Sequence, residues 1–145
     1  MSESNNNFLL LFNLEYFCPV PYQNLTDSWR KIGSASGSHC DKSNHKFDGN
    51  TWFRFVGMAG TMLPTSPPGK SSCGTDAVSW MEGEHPKNIG STVSRKICFR
   101  WDSQCQWPIS NTNVRKCSDY DGSSFYIYQL KKPTVCNLGY CAEEK

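Results

Sequence analysis

Apolar and polar residues alternate along this chain in short stretches, which glycine, proline and polar turns interrupt. Aromatic and β-branched residues are concentrated in these stretches, as is typical of strands. Helical periodicity is weak throughout the chain. The pattern predicts four strands, at Thr51–Val56, Val93–Phe99, Thr112–Cys117 and Phe125–Leu130.

The last of these segments gives the clearest strand signal. Phe125 and Ile127 share one face and Tyr126 and Tyr128 share the other, because side chains alternate along a strand. Both faces are mostly apolar. We therefore predict that this segment is a central strand, covered on both sides.

Loops are predicted between the strands. Gly33–Asn50 is polar and rich in glycine, as surface loops are. The prolines within Leu63–Ser72 exclude a regular element there. Only Asn24–Lys31 is predicted as a short helix, with Thr26 or Asp27 as its cap. The predicted fold class is mainly β, with a small α+β arrangement as the alternative: a compact, disulfide-rich single domain with antiparallel strands and long loops.

Composition limits how the core of such a domain is filled. The length of 145 residues suits one domain. Ile, Leu and Val together number 19, and so do 8 Phe, 5 Trp and 6 Tyr, so aromatic rings must fill much of the core. The net charge of +2 is too small for a module held on nucleic acid by phosphate neutralisation. No stretch approaches the roughly 20 apolar residues that span a bilayer.

Cysteine usage indicates the compartment. The chain has eight cysteines, at positions 18, 40, 73, 98, 105, 117, 136 and 141. Their spacing lacks the C-x₂-C pairs of zinc sites, and His39 beside Cys40, with His45 nearby, is a weak metal pattern. Four disulfides are the favoured interpretation, with zinc as the less favoured one. Disulfides imply an oxidising compartment and hence a secreted or extracellular protein.

The cysteines also set the expected domain bounds. Residues 1–17 carry a polar stretch and a short apolar run, Phe8–Leu14, without a basic region or an A-x-A cleavage site. This segment is predicted to be a poor signal peptide or a linker. Residues 18–141 form the eight-cysteine module, and residues 142–145 a C-terminal tail. We expect the chain to be part of a larger protein whose secretion signal lies elsewhere.

Residues with catalytic potential form no recognisable arrangement. His85 lies in a Glu-His-Pro turn close to Glu82 and Glu84. We interpret it as a turn histidine that packs or hydrogen-bonds locally, rather than as a base or a ligand. The sequence has no G-x-S-x-G elbow, no obvious pair of carboxylates and no phosphate loop. It therefore predicts no enzyme, no cofactor and no metal site.

The five tryptophans leave two interpretations open. Exposed indole rings stack on sugar rings, so an exposed pair would make a lectin; the favoured interpretation is that the tryptophans fill the core and shield disulfides. Trp80 and Trp107, together with His85, are the candidate binding residues. Asn24-Leu25-Thr26 matches the N-glycosylation motif, which makes Asn24 a candidate glycan site.

Several short motifs follow one another along the chain. They are Trp52-Phe53-Arg54-Phe55-Val56-Gly57, Cys73-Gly74-Thr75, Trp80-Met81-Glu82-Gly83-Glu84-His85-Pro86 and Tyr126-Ile127-Tyr128-Gln129-Leu130. In this order, with cysteines between them, they resemble the eight- to ten-cysteine module of the family of uromodulin and the pancreatic secretory granule glycoproteins. The likeness covers about Cys18 to Cys141. Two cysteines of the ten-cysteine form are missing: Pro67 lies near one position, and Cys105 stands alone where the family has a pair.

The resemblance implies a disulfide pairing and a function. The implied bridges are Cys18–Cys117, Cys40–Cys136, Cys73–Cys141 and Cys98–Cys105. The implied function is that of a non-catalytic, secreted or cell-surface interaction module in a mosaic glycoprotein, beside EGF-like and zona-pellucida domains, with a role in mucosal or innate defence recognition. Its partner would be an extracellular protein or glycan, and the alternative is a lectin-like carbohydrate-binding domain.

Overall fold

The computed structural model describes Cys18 and residues 20–145, so the predicted signal peptide or linker at 1–17 lies outside the described residues. Seven strands form one sheet. They are β1 (Tyr22–Leu25), β2 (Trp52–Phe55), β3 (Ala77–Glu82), β4 (Thr92–Arg100), β5 (Trp107–Ser118), β6 (Ser124–Tyr128) and β7 (Leu138–Gly139). The helical elements in this part of the chain are 3₁₀ turns of three residues, at Ser28–Arg30, Asp41–Ser43 and Gly57–Ala59.

The strands lie side by side in the order β1-β2-β6-β5-β4-β3-β7. Neighbouring strands are antiparallel, except for the pairs β1/β2 and β3/β7 at the two edges, which are parallel. The mainly β fold class, with disulfides and long loops, is confirmed. Among the described residues, no helix has the length and apolar character needed to cross a membrane.

The four predicted strands are present as β2, β4, the second half of β5, and β6. The central position of β6 is confirmed, since it lies between β2 and β5. Phe125, Ile127 and Tyr128 are buried and Tyr126 is half-buried. The apolar side chains on both faces of this short segment thus predicted its position in the sheet. The strand has a neighbouring strand on each side, and both of its faces are covered.

The predicted helix at Asn24–Lys31 is wrong. Its first two residues belong to β1, which pairs with β2, and only Ser28–Arg30 forms a 3₁₀ turn. The side chain of Asp27 makes no capping hydrogen bond to the backbone. Its carboxylate instead accepts a hydrogen bond of 3.0 Å from Nε of Arg30, so it orients the arginine rather than a helix end.

Aromatic rings fill the main core on one face of the sheet. Phe47 packs edge-on against Phe53, with ring centroids 4.8 Å apart, and against Tyr140, at 5.3 Å. Phe99 meets Tyr140 from the other side at 5.2 Å. All four side chains are almost fully buried. These tilted and edge-to-face contacts are the geometry that aromatic pairs favour, and they compensate for the shortage of aliphatic residues.

Three disulfides connect distant parts of this fold: Cys18–Cys117, Cys73–Cys141 and Cys98–Cys105. The first two join residues 99 and 68 positions apart, and the third closes a loop between residues 7 positions apart. In the chain-entropy model, a crosslink over about 100 residues stabilises a fold by roughly 4–5 kcal/mol. These are three of the pairs that the family resemblance implies.

Glycine is required in the Cys-Gly-Thr motif by a close approach of two backbones. The amide of Gly74 donates to the carbonyl of Trp29 at 2.7 Å, and the carbonyl of Gly74 accepts from the amide of His39 at 3.0 Å. A Cβ atom at position 74 would overlap the side chain of Trp29. Gly74 thus joins two stretches of the long N-terminal loop region to the segment before β3.

A buried ion pair lies beside the aromatic core. Arg30 and Asp41 are each 3% exposed, and the guanidinium meets the carboxylate through two parallel contacts, of 2.8 and 2.9 Å. The backbone of Tyr140 completes the network, since its amide donates to Asp41 at 2.8 Å and its carbonyl accepts from Arg30 at 2.9 Å. The guanidinium also lies over the ring of Trp29, 4.2 Å from its centroid. Apart from this stacking on Trp29, the contacts join separate segments of the chain.

We predict that Arg30→Met lowers the free energy of unfolding by about 3–5 kcal/mol, because it leaves the carboxylate of Asp41 buried without a counter-ion. Urea unfolding followed by tryptophan fluorescence measures this change. The neighbouring residue supplies a matched control: Lys31 pairs with Glu144 at 2.9 Å, but both side chains are largely exposed. Lys31→Met should cost less than about 1 kcal/mol. Equal losses of unfolding free energy in the two variants would show that the buried ion pair stabilises the fold no more than the exposed one.

Candidate binding surface

Trp80 is not available for binding. It is 9% exposed, and its indole Nε1 donates a hydrogen bond of 2.6 Å to the carbonyl of Gln104. Gln104 belongs to the loop that the Cys98–Cys105 disulfide closes, so this small loop folds over the indole ring. The hypothesis of an exposed Trp80 is therefore corrected in favour of the alternative, a tryptophan that packs beside a disulfide.

His85 is buried as well, at 9% exposure. Its Nε2 lies 2.8 Å from the hydroxyl of Tyr128, and its ring packs on Tyr126 with centroids 4.3 Å apart. Burial lowers the pKa of His85 to about 4, and the charges of Lys145 and Arg95 act in the same direction. The ring is therefore neutral at physiological pH and serves as a structural contact, not as a surface ligand.

The two acidic neighbours of His85 in sequence do not orient it. The carboxylate of Glu82 pairs with Lys96 at 3.0 Å, and that of Glu84 lies 3.7 Å from Lys87. Both ion pairs are exposed. Neither carboxylate therefore forms an acid–base pair with His85. The contacts of His85 agree with its interpretation as a locally bonded turn histidine.

Trp107 faces the opposite side of the sheet from Trp80. Trp80 is opposite Cys98 in the β3/β4 register, and Cys98 is opposite Pro108 in the β4/β5 register. Partners across a ladder share a face and successive residues alternate, so Trp107 points to the other face. The structure therefore separates the tryptophans that the sequence analysis grouped together.

Trp107 instead lines the same cleft as Trp101, and both are half-buried. They line a cleft of about 240 Å³ together with Asp76 and Asn137, which we call the tryptophan cleft. Its members converge because Ala77 pairs with Leu138, which places the preceding residues, Asp76 and Asn137, at the same end of the sheet. Trp101 lies within the loop that the Cys98–Cys105 disulfide closes, and Trp107 follows that loop at the start of β5.

The polar groups of the tryptophan cleft are open to a ligand. The carboxylate of Asp76 has no ion pair or hydrogen bond with any described residue, and Asn137 is exposed. Lys70 stands at the rim, with its Nζ 5.3 Å from the ring centroid of Trp101 and 2.8 Å from the carboxylate of Asp102. Trp101, Asp76 and Asn137 were not predicted from the sequence as binding residues. The available signal was the closeness of Trp101 and Trp107 on either side of Cys105.

A second, larger groove lies near the N-terminal loop. Its volume is about 540 Å³, and its lining includes Trp29, Ile32, His39 and Met58. The rings of Trp29 and His39 are stacked, with centroids 4.5 Å apart and planes 8° from parallel. Met58 is 67% exposed. The groove is mostly apolar and, unlike the tryptophan cleft, has no carboxylate among the described residues of its wall.

Asn24 lies on the edge strand β1, whose one partner among the described strands is β2. Asn24 and Thr26 of the N-x-T motif are exposed, whereas Leu25 between them is buried. Alternation along the strand therefore turns Asn24 toward solvent while Leu25 anchors the backbone. This is the accessibility that an N-linked glycan requires.

Cys40 and Cys136 are free thiols in the structure, so the expected bridge between them stays a prediction. Their side chains nevertheless hydrogen-bond to each other. Although desolvation raises it, the pKa of Cys40 is lowered overall by hydrogen bonds from Cys136 and from the backbone of Lys42 and Asn137. The hydrogen bond to Cys40 raises the pKa of Cys136. The two thiols therefore lie close enough for each to shift the pKa of the other.

The fold and these sites define a small β module stabilised by disulfides, with Arg30, Asp41 and His85 engaged in internal contacts and its open residues at clefts and edges. Comparison with known proteins gives its family. Residues 53–142 match the family model of the uromodulin-like eight-cysteine domain, and the chain belongs to this family.

Its relatives include uromodulin of Rattus norvegicus, 32% identical over 84% of this chain, and uromodulin of Mus musculus, 34% identical over 84%. A third is the pancreatic secretory granule membrane major glycoprotein GP2 of Canis lupus familiaris, 32% identical over 92% of the chain. The match covers 18% of each uromodulin and 25% of the dog protein. The chain thus spans a quarter or less of the length of these relatives.

The buried histidine makes stability depend on pH. His85 has a pKa of about 4 in the folded protein, against an ordinary value of 6.5, so the unfolded chain binds more protons between these values. The contribution of the neutral His85 to the free energy of unfolding is complete above about pH 6.5, and it is lost as the pH falls toward 4. At about 1.4 kcal/mol per pKa unit, we predict a loss of up to about 3 kcal/mol over this window. Urea titrations at several pH values measure it.

The control for this prediction is a comparison of two variants. His85→Gln should remove most of the pH dependence between 6.5 and 4, because glutamine does not titrate. His45→Gln should retain it, since His45 is exposed. A His85→Gln profile parallel to that of the wild type would contradict the assignment.

Proposed function

We propose that this domain is a non-catalytic recognition module of a secreted or cell-surface glycoprotein, with a role in mucosal or innate defence. The observation that carries the proposal is the exposed glycan acceptor Asn24 on an edge strand of a disulfide-linked, uromodulin-like domain. Asn24 projects from the face of β1 opposite to the buried Leu25, so a glycan there points to solvent and away from the core side chains. The relatives named above include a glycoprotein of secretory granule membranes, which supports passage of this domain through the secretory pathway.

The contacts of the polar core residues support the non-catalytic part of the proposal. Arg30 and Asp41 bind each other and the backbone of Tyr140, and His85 binds Tyr128. A general base needs access to a substrate proton within hydrogen-bond reach. The most perturbed histidine is instead enclosed by two tyrosines, so its lowered pKa has a structural cause.

We predict that the domain carries an N-linked glycan at Asn24 when it passes through the secretory pathway of a eukaryotic cell. Intact mass before and after treatment with peptide N-glycosidase measures this directly. Asn24→Gln and Thr26→Ala should both remove the glycan, the second while keeping the asparagine. Asn50→Gln is the matched control at an exposed asparagine outside any such motif. A fully secreted wild-type protein without the glycan would overturn this part of the proposal.

The recognition role has its own test. The glycosylated domain should be retained on surface-immobilised microbial cells or mucosal epithelial cells, and the Asn24→Gln variant should be retained less. Equal retention would assign recognition to the protein surface instead of the glycan. Retention of neither form would overturn the defence role while leaving secretion and glycosylation intact.

We further propose that Cys40 and Cys136 form a fourth disulfide in the secreted protein. They are 96 positions apart, and their side chains already hydrogen-bond to each other. Non-reducing peptide mapping should find them linked, and the bond should raise the free energy of unfolding by roughly 4–5 kcal/mol relative to a Cys40→Ser, Cys136→Ser double variant. The double variant should keep the other three bridges. A link from Cys40 to any other cysteine would refute the pairing.

A second candidate function is carbohydrate binding through tryptophans. The specific observation that favours it is the tryptophan cleft, in which two half-buried indoles stand beside a carboxylate without a partner among the described residues. The cleft replaces the pair of Trp80 and Trp107 as the candidate stacking surface, since Trp80 is buried.

A further inference from the structure

We propose that the tryptophan cleft binds the terminal, neutral hexose of a glycan, with Trp101 and Trp107 as the stacking surface and Asp76 and Asn137 as hydrogen-bonding groups. This inference rests on the carbohydrate-binding candidate and names its site. It is independent of the glycan at Asn24, whereas Cys136 of the proposed fourth disulfide also lines the cleft.

The shape of the cleft suits a single sugar ring. Its volume of about 240 Å³ lies below the range of about 300–1,000 Å³ that is usual for pockets of drug-sized ligands. Two indoles supply apolar faces, and a pyranose ring presents a face of C–H groups that packs flat on such surfaces. Indole rings also contribute large contact area at low conformational cost.

The polar groups supply what a sugar needs in addition to an apolar face. The carboxylate of Asp76 has no partner among the described residues, so it can accept hydrogen bonds from hydroxyl groups. The exposed side-chain amide of Asn137 offers both a donor and an acceptor. A mostly apolar pocket with a few placed polar groups is the usual composition of a small-molecule site.

The backbone holds these groups in place. The carbonyl of Asn137 accepts hydrogen bonds from the amide of Ala77, at 2.9 Å, and from the hydroxyl of Thr75, at 3.1 Å. On the opposite wall, Trp107 begins β5 and packs against the main core, and the Cys98–Cys105 disulfide closes the loop that carries Trp101. The site is therefore assembled before a ligand arrives, which reduces the entropic cost of binding.

The charges around the cleft favour a neutral ligand over a charged one. The carboxylate of Asp76 in the wall repels an acidic sugar. Two indoles and a carboxylate would also suit a quaternary ammonium group. The ammonium of Lys70, however, already lies 5.3 Å from the ring centroid of Trp101, and it disfavours a second cation at this rim.

The test is a titration of the folded, disulfide-linked chain with methyl glycosides of galactose, glucose, mannose and N-acetylglucosamine, followed by the indole N–H signals in ¹⁵N NMR spectra. We expect saturable shifts of the Trp101 and Trp107 signals with at least one glycoside, with a Kd on the order of 1 mM. Trp101→Ala should remove binding and Asp76→Asn should weaken it about tenfold. Met58→Ala, in the larger groove, should leave the affinity unchanged.

The possible outcomes distinguish failure of the proposed site from failure of the carbohydrate-binding function. Sugar binding that shifts Trp29 and is lost in Met58→Ala would keep carbohydrate binding but overturn this site. The absence of any shift up to about 50 mM glycoside, far above the expected Kd, would overturn both. Shifts with choline, but with none of the glycosides, would assign the cleft to a cation and overturn the proposal. Because the indole signals are read on the wild-type chain, the result does not depend on the folding of any variant.

Discussion

The paired charges of Arg30 and Asp41 are the constraint on which the surrounding structure depends. Two charges with 3% exposure are stable only if their geometry is good and their remaining donors and acceptors are satisfied. Both conditions hold here, because the guanidinium and carboxylate meet through two contacts and the backbone of Tyr140 supplies a donor and an acceptor. A lysine would not replace Arg30, since a single ammonium lacks the planar fork that meets a carboxylate bidentately.

The ion pair also explains how the long N-terminal loop is held without long helices or strands of its own. Asp41 follows Cys40, and Tyr140 precedes Cys141, so the electrostatic and the sulfur contacts lie side by side in the chain. Cys141 is bonded to Cys73, and the residue after Cys73, Gly74, binds the backbones of Trp29 and His39. Several kinds of contact therefore fix the same few segments, and an irregular loop becomes a defined wall of the larger groove.

How much of the fold the sequence predicts depends on how local the signal is. The strand β6 (Ser124–Tyr128) was identified because its two apolar faces are a property of five consecutive residues. The strand at Ala77–Glu82 was missed, since the polar Ser79 interrupts its apolar run; Ser79 is buried there because its hydroxyl bonds to the backbone of Cys141. The helix predicted at Asn24–Lys31 failed for a tertiary reason: the start of the segment pairs with β2, and Arg30 binds the distant Asp41. The short window that suggested the helix contains neither β2 nor Asp41, the buried partner of Arg30.

The candidate site shows the same limit more sharply. The sequence indicated that tryptophans bind or fill the core, and the structure divides them by strand register: Trp80 faces the Gln104 carbonyl, and Trp107 faces Trp101 on the other side. The loop closed by Cys98–Cys105 maintains this separation of the tryptophans, because it covers the indole of Trp80 and carries the indole of Trp101 to the cleft. A short covalent loop loses little more entropy when it is ordered, so it can hold an indole rigidly at the surface. The loop that this disulfide closes covers Trp80 on one face of the sheet and carries Trp101 to the cleft on the other face, where the main core lies.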